Sequence, residues 1–161
     1  MIDREWNKTE IYESVKQATT ELRKFDHVLL QFDYQSTFTN DAGKTVTTST
    51  ILNTTKNDSF KNLDRIRISG TSSVKSVYTS QDTLFGYFKD EQNNEGFVAV
   101  NYNDTSKGLS DKVEITFDAT EYDAAVCYIS GEEKLIRLTD GKLSLELGAG
   151  EGVFVIPCKL K

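Results

Sequence analysis

From Lys112 to Ile156 the chain is an almost unbroken succession of short apolar-alternating runs: VEITF, AAVCYI, KLIRL, LSLEL and VFVIP. Alternation with a period of two is the mark of a strand with one face buried. The runs are separated by turn-forming residues, Thr139-Asp140-Gly141-Lys142 and Gly148-Ala149-Gly150-Glu151-Gly152 among them. Connections this short can only reverse a strand, because a parallel return needs a long crossover. The stretch therefore reads as an antiparallel meander. The three glycines of GAGEG are read as hairpin residues that supply positive φ. A phosphate-binding loop would have to open a helix, and the strand VFVIP follows instead.

Upstream, Ile11, Val15, Ala18, Leu22 and Phe25 are spaced by four, three, four and three residues, which places them on one face of an amphipathic helix. Thr9 is the expected N-cap, with Asn7 as competitor. From Asp26 the expectation changes to β-structure, with VLLQFDY as the first strand, a turn at Asn40-Asp41-Ala42-Gly43 and TVTTSTIL as a solvent-facing or edge strand. Residues 53–62 read as loop and RIRIS, SVKSVYT, TLFGYFKD and GFVAVNYN as strands. Glu91-Gln92-Asn93-Asn94-Glu95 is read as a hairpin loop, and NDTSKGLSD as a longer polar loop. Pro157 falls at the end of the last strand, where a missing N–H does least harm. About ten to twelve strands with a single helix predict an antiparallel β-sandwich. A closed barrel is the runner-up. The division expected is a helical segment over residues 1–25 and a sandwich over 26–161.

At 161 residues the chain can bury roughly 70% of its unfolded surface, enough to fold without a disulfide or a metal. Nineteen basic residues against 25 acidic ones give a net charge of −6. The scattered, outnumbered lysines and arginines argue against nucleic acid, whose binding rests on clustered cations. No apolar run approaches the length of a membrane helix, and no apolar leader precedes Asp3, Arg4 and Glu5, so a cytoplasmic chain is expected. Cys127 and Cys158 are read as two buried free thiols, able to pair only if their strands are neighbours. His27 is the single histidine. It is read as structural, and no metal site or cofactor is expected. The sequons at Asn7, Asn53, Asn57 and Asn103 are read as chance in a chain rich in Asn, Ser and Thr.

Glycoside hydrolysis needs two carboxyl groups facing each other roughly 5–10 Å apart. The acidic residues here fall in turns or at outward strand positions, Glu114, Asp118 and Glu146 among them. No GxSxG elbow is present either. The remaining candidates are aromatic rings able to stack on sugars: Trp6, Tyr34, Tyr87 and Tyr102. Against them stands the reading that such rings are core. TLFGYFKD and GFVAVNYN are apolar on both faces, which predicts central strands covered on each side, one cover being the N-terminal helix.

KTEIYESVKQATTELRKFDHVLLQFDYQ resembles the segment that follows the catalytic barrel in bacterial glycoside hydrolases similar to family 42 β-galactosidases. FGYFKDEQNNEGFVAVNYNDTSKGLSDKVEITF and GEEKLIRLTDGKLSLELGAGEGVFVIP resemble the rest of the C-terminal β-domain of those enzymes. Residues 35–65 carry the resemblance least. It implies a non-catalytic accessory domain that packs on a (β/α)₈ barrel of the same polypeptide. The family's catalytic glutamates sit on barrel strands that nothing here matches, so the resemblance carries over no catalytic residue. Two alternatives stand beside it: a carbohydrate-binding module built on the four aromatics, and a stand-alone barrel carrying a small apolar ligand.

Overall fold

The computed structural model describes residues 4–5, 7–47 and 73–160. Trp6, the sequons at Asn53 and Asn57, the loop at 53–62, RIRIS and the second half of TVTTSTIL lie outside the described residues.

The first element is helix α1, Glu10–Arg23, capped by Thr9, whose Oγ1 accepts from the Tyr12 N–H at 3.4 Å. Of VLLQFDY only Phe32, Asp33 and Tyr34 are strand. Asp26–Leu29 forms a one-turn helix, α2, closed by Val28 and Leu29 N–H bonds to the Phe25 carbonyl. A short continuous apolar run fits a helical turn as well as a strand, and Asp26 in its first turn suits the helix dipole.

Ten strands follow among the described residues: β1 Phe32–Asn40, β2 Lys44–Thr47, β3 Val74–Thr79, β4 Thr83–Asp90, β5 Glu95–Asn101, β6 Asp111–Phe117, β7 Ala124–Ile129, β8 Glu132–Arg137, β9 Lys142–Leu147 and β10 Gly152–Cys158. They form two antiparallel sheets, one in the order β1-β4-β5-β10-β7-β8 and the other β2-β3-β6-β9. The expected sandwich is the fold, and the closed barrel is not, because the strands divide into two separate sheets. β4 and β5 are central, as their two-sided apolarity predicts. The last third is not a meander, because its strands divide between the two sheets. In the last third only β7 and β8 pair as sequence neighbours, while β6 pairs with β9 and β10 lies between β5 and β7. The GAGEG segment is accordingly a crossover between sheets, although Gly150 does adopt φ +76°.

The alternation of each strand sends one set of side chains between the sheets. Phe85 and Tyr87 of β4 point inward, as do Phe97 and Ala99 of β5, Val113, Ile115 and Phe117 of β6, and Leu143, Leu145 and Leu147 of β9. Phe38 stacks on Phe85 with ring centroids 4.8 Å apart, and Tyr87 stacks on Phe97 at 5.5 Å. Each of the buried Val, Ile, Leu and Phe side chains contributes about 1.5–3 kcal/mol of transfer free energy. Cys127 faces this core opposite Val155, whereas Cys158 stands three residues along β10, opposite Ala124. Their strands are neighbours, yet the register and the alternation put the two on opposite faces, so both remain free. Burial pushes the Cys127 thiol up to about 12, with Cys158 adding a smaller push.

Outward-facing aromatics of the six-stranded sheet make a second apolar layer. Phe32 and Phe88 meet Phe154 edge-on at 5.3 and 6.1 Å, and Phe25 stacks on Tyr128 at 5.2 Å. Gly96 is part of this layer for a steric reason: a Cβ there would come within 2.7 Å of the Phe154 ring. The helical segment covers part of the layer.

Candidate functional site

Three places in the fold hold chemistry worth weighing, and the first is the pair of buried carboxylates. Glu95, assigned to a loop from sequence, is instead the first residue of β5 and is buried. The turn ahead of it is made by Asp90, which accepts from the N–H groups of Gln92 and Asn94. Glu95 Oε1 accepts from the Tyr87 hydroxyl at 2.6 Å, and Oε2 accepts from the Ser73 N–H at 2.9 Å and from the Ser73 hydroxyl. Burial, and then the bond and the charge of Glu95, push the Tyr87 phenol well above its usual range. Asp111 Oδ1 accepts from the N–H groups of Ser80 and Gln81, at 3.0 and 2.9 Å, while Oδ2 accepts from the Thr83 hydroxyl. With the Ser80 hydroxyl also donating to Asp111 Oδ1, Glu95 has three donors and Asp111 four among the described residues, so both oxygens of each buried carboxyl group are partnered.

These two carboxylates are ties between sheets. Asp111 closes the end where β3 crosses to β4, and at the same end Asn101 donates to the Leu109 and Leu147 carbonyls. Glu95 fastens Ser73 to β5 at the opposite end. Thr83, which bonds Asp111, pairs with Asn101, six residues along β5 from Glu95. At the rise of a strand that separation is roughly 20 Å, too far for two carboxyl groups to act on one bond.

The second place is the set of aromatics singled out from sequence. Tyr87 is 3% exposed and its hydroxyl is engaged. Its ring presents no open face to a sugar, because β4 turns odd-numbered residues inward. Tyr34 is 60% exposed on the outer strand β1, edge-on to Phe88 at 5.8 Å, with its hydroxyl 2.9 Å from Thr37 Oγ1. Tyr102 is 50% exposed beyond the end of β5. Tyr34 pairs with Phe88, near the Glu95 end, and Tyr102 follows Asn101 at the Asp111 end. The structure therefore does not bring these two rings together into one site.

The third place is a groove of about 360 Å³ between α1, α2 and the outer face of the six-stranded sheet. Ala18, Leu22, Phe25 and Leu29 form one wall, with Val98 and Phe154 beneath. The helix is seated by a close approach. Gly131, at φ +74°, lies where a Cβ would come within 3.1 Å of the Glu21 backbone and 2.6 Å of the Lys24 side chain. The predicted apolar stripe of α1 is only partly used by this seat. Phe25 is half-buried, whereas Val15 is 45% and Leu22 46% exposed. Leu30, just past α2, is 83% exposed.

His27 is exposed on α2. Among the described residues no cluster of three His, Cys, Asp or Glu side chains is placed to hold a metal ion, and no helix is long and apolar enough to cross a membrane. Comparison with protein-family models, curated proteins and solved structures returned no match to this chain.

Proposed function

We propose that this chain is an accessory β-sandwich of a glycoside hydrolase, which packs through its helix-covered face on the catalytic barrel of the same polypeptide and stabilises it. One observation carries this reading: the predicted apolar stripe is split, with Phe25 laid on the outer face of the six-stranded sheet, Leu22 lining the apolar groove yet half-exposed, and Val15 left toward solvent. An amphipathic helix gains its stability by covering its apolar face, and a half-covered stripe is what a second domain would complete. The likeness of the helix and strand segments to the region after such barrels supports the choice of partner. A cytoplasmic location belongs to the same proposal, since two unpaired thiols suit a reducing compartment.

The test compares the natural gene product with the 161-residue chain, each carrying Val15→Glu and Leu22→Glu. Melting temperature is expected to fall in the natural product and to stay within a few degrees in the chain alone. Equal falls in both, or turnover of aryl glycosides by the chain alone, would sink the proposal.

Carbohydrate binding is a second reading, favoured by the exposed ring of Tyr34 beside Phe88. Calorimetry with oligosaccharides on Tyr34→Ala decides it: unchanged heats remove Tyr34 from the reading.

A further inference from the structure

The outer face of the four-stranded sheet is the chemical opposite of the helix-covered face. The register of the sheet lays its outward residues in rows. Thr45, Tyr78, Glu114 and Ser144 form the central row, one residue from each strand. Thr47, Ser76, Thr116 and Lys142 form the row on one side, and Lys112 beside Glu146 lies on the other. Every one of these side chains carries a hydrogen-bonding group, and Tyr78 is the one aromatic ring among them. Two shallow grooves cross the face, of about 360 and 420 Å³, and Lys112 lines both.

The centre of the face is held in place. Glu114, its side chain 20% exposed, lies 3.0 Å from Lys112 Nζ and 3.5 Å from Lys142 Nζ. The Lys112 contact foremost, with Lys142 adding to it, holds its carboxyl below the usual range. A carboxylate offers about four acceptor positions, so two ammonium partners leave spare acceptor capacity on the partly exposed Glu114. Tyr78 stands beside Glu114 across the β3–β6 pair, half-buried, and lines the same groove.

We infer that this face is a binding platform for a neutral oligosaccharide, with Tyr78 under one sugar ring and Glu114, Lys112 and Lys142 engaging its hydroxyls. Charge selects the occupant. The two lysines and two glutamates of the face cancel, and the chain as a whole carries −6, which disfavours polyanions. A neutral polyol meets alternating donors and acceptors here without a charge left unmatched. The strands lie about 4.8 Å apart, a spacing comparable to the length of one sugar unit, so successive units along a row meet successive strands. Anchored side chains also lose less freedom on binding. The inference does not depend on the barrel-docking proposal, since it uses the other sheet and other residues.

The test is calorimetric titration of the 161-residue chain with cello-, manno-, xylo- and β-1,4-galactotetraose, and with a tetragalacturonate as the charged control. Saturable binding of at least one neutral tetraose is expected, weaker by about tenfold or more in Tyr78→Ala and Glu114→Gln. Ser144→Arg, at an exposed position, is expected to block the platform and leave the fold intact, and it carries the test if Tyr78→Ala fails to fold. Val15→Glu with Leu22→Glu is expected to leave the affinity unchanged, which separates this result from that of the docking test. No saturable heat with any neutral tetraose, tighter binding of the galacturonate, or affinity unchanged in both Glu114→Gln and Ser144→Arg overturns the inference.

Discussion

Glu95 and Asp111 are two ionisable groups taken out of water, and each is matched by a set of donors, so they act as fasteners for chain segments that cross between sheets. Tyr87→Phe removes one donor from Glu95 while keeping the ring, and is expected to cost about 1–3 kcal/mol in urea unfolding, the penalty for taking a partner from a buried acceptor. Asp118, in the turn after β6, accepts from the Thr120 N–H and hydroxyl and pairs with Lys75 Nζ at 3.0 Å. Those Thr120 bonds, with a lesser part from Lys75, hold its carboxyl down to about 2, against an ordinary 3.8. The folded state thus binds this proton less readily than the unfolded chain. The stabilisation is complete above the ordinary value and is lost as pH falls through about 2. In Asp118→Asn the acid limb of the stability profile is expected to be shallower; an unchanged limb refutes the assignment. At this scale the sequence was only partly legible. The Thr9 cap was readable from residue type and position. The buried carboxylates were not, because Glu95 follows a turn and Asp111 ends a polar loop, and only the pairing of distant strands shows that both point inward. Tyr87 reads from sequence both as a stacking candidate and as core, because either face of TLFGYFKD is apolar, and it is the core reading that its burial bears out.

Among the elements, α1 rests most lightly on the rest. Its seat is the stack of Phe25 on Tyr128 and the close contact at Gly131. Gly131→Ala combines an unfavourable positive φ with a Cβ driven into Lys24 and the Glu21 backbone, so it is expected to cost about 1 kcal/mol or more and to raise amide exchange over Glu10–Arg23 without doing so in β4 or β5. Equal change in the central strands would mean that the helix and the sheets unfold as one unit. The strands were legible as elements because alternation is a local property. Their partners were not: KLIRL and LSLEL flank a tight turn, yet β8 and β9 belong to different sheets. The one-turn helix at Asp26–Leu29 was missed because its apolar run has no period long enough to read.

The described residues form a sandwich with two dissimilar outer faces: an apolar, aromatic one partly covered by α1, and a polar one carrying Tyr78 and Glu114. The class of fold followed from pattern alone, since many alternating runs leave few other solutions. The faces did not, because deciding which residues share an outer surface requires the register. The central proposal is that the uncovered part of the α1 stripe is completed by another domain. Hydrogen exchange of the Val15–Leu22 amides, measured by mass spectrometry in the natural gene product and in the 161-residue chain, tests it most directly. Exchange is expected to be at least tenfold slower in the natural product, since an opening there must also break the domain contact. Equal rates in the two would contradict it.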